Sequence, residues 1–215
     1  MTRRLLVVRH GRTEWNATDR FQGQADIPLD EVGRAQAAAM ASVVARERPS
    51  AIWSSDLGRA RETAWALSAV SGIAVQVDPA FREIFTGDWE GLTGQEIRAR
   101  WPTDWTRWQN GEDIPRAGGA ETRAEAGRRF GSALAPVADA VPEGGCAVVV
   151  GHGTAMRAGM AHFVGYPAGS EWLFGSVRNC HWLRLTTTPP ASWDQERPAG
   201  SGWRLDGYNI GAGSV

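Results

Sequence analysis

The sequence predicts a three-layer α/β/α sandwich around a mostly parallel sheet. Three observations carry that expectation. Short strand-like runs, too brief for helices, recur at residues 5–8, 51–55, 74–77 and 146–150. Helical patterns separate them, and strands that alternate with helices build βαβ units. Two of the runs end in a histidine beside glycine, at Arg9-His10-Gly11 and at Gly151-His152-Gly153. Open α/β sheets bind ligands at such carboxyl ends.

In chain order, Leu5-Leu6-Val7-Val8 reads as a buried parallel strand, and Gly11 permits the turn that follows it. Residues 12–30 hold Asn16, Asp19, Gly23, Asp26 and Pro28 and read as a loop. Asp30 suits the N-cap of a helix with the stripe Val32, Ala35, Ala39, Val43 and Val44, which ends before Pro49. A second strand covers 51–55. Ser55 or Asp56 then opens a helix to about residue 70, stopped by Gly72. Residues 74–77 are a third strand. Residues 79–119 are dense in Pro, Gly, Asp and Trp, with one helix near 94–101. They read as an insertion over the carboxyl edge of the sheet. A long Arg- and Ala-rich helix runs from 121 to about 140. The fourth strand, 146–150, leads into a helix from 154 to about 164. Two more strands, 180–187 and 203–208, flank a loop with Pro189, Pro190, Pro198 and Gly200. Small residues fill 211–215.

The 215 residues suit one domain spanning 1–215, with 79–119 covering the substrate and 180–215 supplying C-terminal strands and a tail. A net charge of −1 gives no field for nucleic acid or membrane. All 23 basic residues are arginine, which excludes a Schiff-base or Walker-type lysine. Any anion site is therefore built from Arg, His or backbone. Cys146 and Cys180 sit in strand-like surroundings and read as two buried thiols, with a disulfide between them left open. No stretch has the length of a transmembrane helix, and the apolar run before Arg9 is too short for a signal-peptide core. The expected location is the cytoplasm. The C-terminal strands are available to a second copy, so a homodimer is one expectation.

The chemistry-bearing residues lie on four segments. Arg9 and His10 end the first strand, and His152 ends the fourth. Arg59 falls in the first turn of the helix after the second strand, where guanidinium and helix amides can both address an anion. The insertion offers Glu83, with Asp88 and Glu90 as alternatives. Arg61 faces away from Arg59 and is expected in a surface ion pair. His162 and His181 read as structural or surface residues. Two arginines and two histidines suit a phosphoryl group: arginine neutralises its oxygens, one histidine attacks phosphorus, and a carboxyl group moves the proton. Metal-ligand spacings such as HxxxH or CxxC are lacking, as are a GxSxG elbow and a dinucleotide fingerprint.

Arg9-His10-Gly11 with Thr13 and Asn16, Ser54-Ser55-Asp56-Leu57 with Arg59-Ala60 and Thr63-Ala64, Glu83, and Gly151-His152-Gly153 follow one another in a telling order. Over about residues 5–165 the chain resembles the histidine phosphatase superfamily, the phosphoglycerate mutase-like family. Phe21-Gln22-Gly23-Gln24-Ala25-Asp26, Gly87-Asp88-Trp89-Glu90-Gly91-Leu92-Thr93 and Trp203-Arg204-Leu205-Asp206 are similar to one branch, the actinobacterial glucosyl-3-phosphoglycerate phosphatases. The resemblance implies a phosphoglycerate mutase-like fold and a metal-independent phosphomonoesterase. It would act on a small phosphorylated metabolite through a phosphohistidine, without a cofactor. It implies His10 as the nucleophile, with Arg9, Arg59 and His152 on the phosphoryl oxygens. Glu83 becomes the proton donor and then the base. Asn16 and Gln22 would contact phosphate or substrate, and the Gly153 and Thr154 amides would add backbone donors.

Two other readings stand beside this one. A cofactor-dependent mutase of the same family carries Glu-Arg-His-Tyr-Gly at the acid, whereas here Glu83 precedes Ile84-Phe85-Thr86-Gly87. A non-catalytic phospho-ligand binder would lack His10 or Glu83. Trp89, Trp101, Trp105 and Trp108 suggest an apolar or sugar-stacking wall, although core is the better assignment for any one of them.

Overall fold

The computed structural model describes residues 1–187 and 202–214. The expected loop with Pro189, Pro190, Pro198 and Gly200 lies outside the described residues, as does Val215. The elements run β1 (Arg4–Arg9), α1 (Glu14–Ala17), α2 (Glu31–Val44), β2 (Ala51–Ser54), α3 (Gly58–Ser71), β3 (Val75–Val77), α4 (Gly94–Arg100), α5 (Pro102–Gln109), α6 (Arg123–Asp139), β4 (Cys146–Gly151), α7 (Gly153–Val164), β5 (Trp182–Thr187) and β6 (Trp203–Ile210).

The strands form one sheet in the order β3-β2-β4-β1-β5-β6. β1, β2, β3 and β4 pair in parallel, and β5 and β6 join antiparallel at one side. Side chains alternate across this sheet, so each strand feeds two cores. Leu6, Val8, Ile52, Val148 and Val150 pack under α2 and α3 against Met40, Val44 and Leu67. Leu5, Val7, Ala147 and Val149 face α6 and α7 and meet Phe130, Leu134, Met156 and Met160. Helices thus cover both faces, as expected for a three-layer α/β/α sandwich. The unbroken apolar run of β1 follows from burial on both sides.

Several boundaries differ from the sequence reading. The 12–30 loop contains a one-turn helix, α1, closed by a capping box between Thr13 and Asn16. Neither Ser55 nor Asp56 caps α3. Its N-cap is Leu57, and the Gly58 amide donates instead to Asp26 Oδ1 at 2.7 Å, a partner far away in sequence. The helix expected near 94–101 is α4, and the insertion adds a second helix, α5, with Pro102 in its first turn. Asp30 caps α2, and Gly72 ends α3 in the left-handed region at φ 73°.

Candidate functional site

The site begins with strand register. β1 and β4 are neighbours, Arg9 is level with Gly151, and the His10 amide donates to the Gly151 carbonyl at 3.0 Å. The two histidines therefore leave adjacent strand ends together, with ring centroids 5.0 Å apart. His10 Nδ1 lies 2.7 Å from the Gly11 carbonyl oxygen, which can only accept. Nδ1 thus carries the proton, and Nε2 keeps its lone pair. The turn after β1 is packed tightly onto α2. A Cβ on Gly33 would overlap the Arg12 carbonyl oxygen, and one on Gly11 would press on the Gly33 carbonyl, so both positions need glycine. The Gly11 amide also donates to Thr63 Oγ1 on α3.

Arg9 and Arg59 flank the imidazoles. Arg9 donates through Nη1 to the Val177 carbonyl at 2.6 Å. Arg59 is fully buried and donates to the carbonyls of Ala25 and Gly23 at 2.6 and 2.8 Å. These bonds aim the guanidinium groups and leave Nε of each without a partner. Both ring nitrogens of buried His152 are also unpartnered. Burial of a polar group without a partner is costly. Four such nitrogens belong to the two arginines and the histidine next to His10.

Asn16, Gln22, Glu83 and Thr154 line the same cleft as Arg9, His10 and Arg59, which has a volume of about 500 Å³. Asn16 Oδ1 is occupied by the Thr13 amide and by Asn179, so its amide nitrogen is the donor left over. Gln22 accepts from Thr13 Oγ1 at 3.0 Å. Glu83 is held by three backbone amides: Ile84 and Ala155 donate to Oε1, and Thr154 to Oε2. The Thr154 amide therefore differs from the expectation of an anion donor, because the start of α7 is committed to the carboxylate. Gly153 lies against Arg9, where an added Cβ would stand 3.4 Å from Nε. Asp88 and Glu90 do not line the cleft, and Glu90 accepts from the Gln24 amide.

The family model of the histidine phosphatase superfamily (branch 1) matches residues 5–197. The chain belongs to that superfamily. A glucosyl-3-phosphoglycerate phosphatase of Mycolicibacterium vanbaalenii is 37% identical over 216 residues, covering 98% of this chain and 96% of the relative. A probable phosphoglycerate mutase GpmB of Yersinia pestis is 34% identical over 208 residues, covering 94% of this chain and 90% of its own length. The solved structure of a mycobacterial glucosyl-3-phosphoglycerate phosphatase in complex with VO3 matches with a TM-score of 0.84 at 34% identity, over 96% of this chain and 98% of that one. This histidine phosphatase is accordingly a phosphoric monoester hydrolase with the phosphoglycerate mutase-like fold.

Other parts of the histidine phosphatase site had no local sequence signal. Asn179 donates from Nδ2 to the His10 carbonyl at 3.0 Å and to Asn16 Oδ1 at 3.2 Å. Arg129 on α6 grips the segment before and at Glu83 through the carbonyls of Ala80, Arg82 and Glu83, and is itself paired with Glu121. Trp105, Trp108, Trp15 and Trp172 line the cleft, whereas Trp89 is fully buried behind them. The aromatic insertion thus divides into core and wall. Arg61 lies over the Trp65 ring at 4.7 Å, and among the described residues it is not in the expected ion pair. His162 and His181 stand outside the cleft. Cys146 and Cys180 are free thiols, which burial pushes up to about 11 and about 12. Among the described residues no group of three or more His, Cys, Asp and Glu could hold a metal ion. Among the same residues no helix is long and apolar enough to cross a membrane.

Burial, and then the charges of Arg59 and Arg9, hold His10 well below the ordinary imidazole value of 6.5. Burial, Arg59, His10 and Arg9 do the same to His152. An unfolded histidine takes its proton near pH 6.5, so below that value the unfolded chain binds more protons than the native one. The stability that depends on the neutral pair is complete above the unfolded value and is lost as pH falls through it. Urea unfolding should give a lower midpoint at about pH 5.5 than at about pH 7.5, and a His10→Ala/His152→Ala double variant should show a smaller drop over that window. An equal drop in both proteins would contradict the assignment.

Proposed function

We propose that this histidine phosphatase is a metal-independent phosphomonoesterase of a small phosphorylated metabolite, with glucosyl-3-phosphoglycerate or a related sugar or acid phosphate as substrate. One observation carries the reading: Arg9 and Arg59, each with a buried, unpartnered Nε, share the cleft with His10, and His152, with both ring nitrogens unpartnered, lies with its ring centroid 5.0 Å from that of His10. They form a preorganised cage for a phosphoryl group, and its charge would be met by dipoles and cations already in place. Burial that keeps His10 neutral also keeps it nucleophilic.

In this reading the His10 Nε2 lone pair attacks phosphorus and forms a P–N bond while the ester P–O bond breaks. Glu83 gives its proton to the departing oxygen. Glu83 then takes a proton from water, the resulting hydroxide attacks phosphorus, and the P–N bond breaks to release phosphate and restore His10. Asn16, Gln22 and the Gly153 amide bind phosphoryl or neighbouring substrate oxygens, and Thr154 acts by orienting Glu83. The same reading treats residues 1–215 as one domain in which 79–119 covers the substrate. It places the enzyme in the cytoplasm, without nucleic-acid or membrane partners, and as a homodimer paired through its C-terminal strands.

The test is phosphate release from a panel of sugar and acid phosphates, with 3-phosphoglycerate to 2-phosphoglycerate conversion assayed in parallel with a bisphosphate primer. Phosphate release with negligible isomerisation is expected. Fast primer-dependent isomerisation without phosphate release would make the protein a mutase, and phosphate binding without any turnover would make it a binding protein.

A further inference from the structure

Glu83 sits on an irregular strap, residues 82–86, between the 3-10 turns Pro79–Phe81 and Gly87–Trp89. Backbone carbonyls in such a strap need partners from outside it. Those of Ala80, Arg82 and Glu83 find one partner, Arg129 of α6, at 2.9, 3.0 and 3.2 Å.

Arg129 commits every donor it has to this region. A guanidinium carries five N–H groups. Nη1 uses two on Ala80 and Arg82, and Nη2 uses one on Glu83. The second Nη2 hydrogen and the Nε hydrogen go to the Glu121 carboxylate at 2.7 and 2.9 Å. Glu121 in turn accepts from the Phe85 amide at 2.9 Å and donates its own amide to the Phe85 carbonyl at 3.1 Å. The ion pair thus brackets the chain from residue 80 to residue 85. Neither Arg129 nor Glu121 lines the cleft, so any effect on the reaction must pass through what they hold. Glu83 is consequently fixed at two ends: its carboxylate rests on the amides of Ile84, Thr154 and Ala155, and its main chain hangs from α6.

We propose that Arg129, paired with Glu121, is the positioning residue for the general acid, holding the main chain at Glu83 so that the carboxyl group reaches the leaving oxygen. The inference rests on the phosphatase reading above, in which Glu83 carries the proton. A general acid works only within hydrogen-bond reach of that oxygen, and a displacement of about 1 Å costs about a hundredfold in rate. Lysine cannot replace this arginine in full, because an ammonium has three donors and no planar fork.

The test is a double-mutant cycle on kcat, with the fastest alkyl phosphate from the phosphate-release panel as substrate. Arg129→Met should lower kcat about thirtyfold with KM within about threefold of wild type. In a Glu83→Gln background the same substitution should cost less than about twofold, because the acid it positions is already gone. Arg129→Lys should fall between Arg129→Met and wild type. With para-nitrophenyl phosphate, whose leaving group needs no proton, the rate of the first step should stay within about threefold of wild type in Arg129→Met. An equal loss in both backgrounds overturns the proposal, as does a first step that slows in parallel with alkyl turnover. If Arg129→Met does not fold, Glu121→Gln, expected to cost about tenfold, is carried through the same cycle with the same deciding outcomes. Failure of the phosphatase reading looks different: Glu83→Gln alone would then leave kcat unchanged, and the proposal would fall with it.

Discussion

Replacing His10 with alanine is expected to lower kcat/KM for any phosphomonoester by at least about ten-thousand-fold, because the variant has no atom to form the P–N bond. The loss should appear in kcat. Arg9, Arg59 and His152 remain, so the variant should still bind inorganic phosphate or vanadate, as measured by calorimetry or thermal shift. The fold should survive. His10 sits at the rim of β1 with its ring toward the cleft, and the strand's own stability comes from Leu5, Leu6, Val7 and Val8. Turnover within tenfold of wild type in a folded variant would remove His10 from the chemistry, leaving the cage to act on a bound water.

Glu83→Gln should have the second largest effect, a fall of about a thousandfold in kcat on alkyl phosphates. The amide has no proton to give to the leaving oxygen. It also turns an NH2 toward backbone amides, since Ile84, Ala155 and Thr154 all donate to the native carboxylate. Leaving-group dependence separates the two roles of Glu83. Para-nitrophenolate departs without a proton, so the first step should persist in the variant while water activation fails. A burst of para-nitrophenolate equal to the protein concentration should precede a slow steady state. A uniform slowing with no burst would assign the proton work elsewhere. Asp88→Asn serves as the comparison, because Asp88 lies outside the cleft and should change little.

The parts of this molecule legible in the sequence are those written in short range. The β1 run is apolar on both faces because both faces are covered, and its continuity announced a parallel strand. His10 and His152 each follow a strand and precede glycine, so their convergence needed only the inference that the two strands share a sheet. Arg59 and Glu83 gained meaning only beside those histidines. What stayed hidden depends on contacts between distant segments. Asn179 meets the His10 carbonyl across 169 positions, and the Val177 carbonyl that aims Arg9 is 168 positions away. The cap of α3 comes from Asp26, and the Thr154 amide is claimed by Glu83 across 71 positions. The tryptophans divide for the same reason: only packing shows that Trp89 is core while Trp105 and Trp108 face the cleft.

The central claim is that phosphoryl transfer proceeds in two displacements through His10. The most direct measurement is the stereochemical course at phosphorus. A phosphomonoester made chiral with oxygen isotopes is turned over, with the phosphoryl group trapped on an acceptor alcohol. Two in-line displacements each invert phosphorus, so the account predicts net retention of configuration. Net inversion would mean one direct transfer to the acceptor, and would contradict a phosphohistidine at His10.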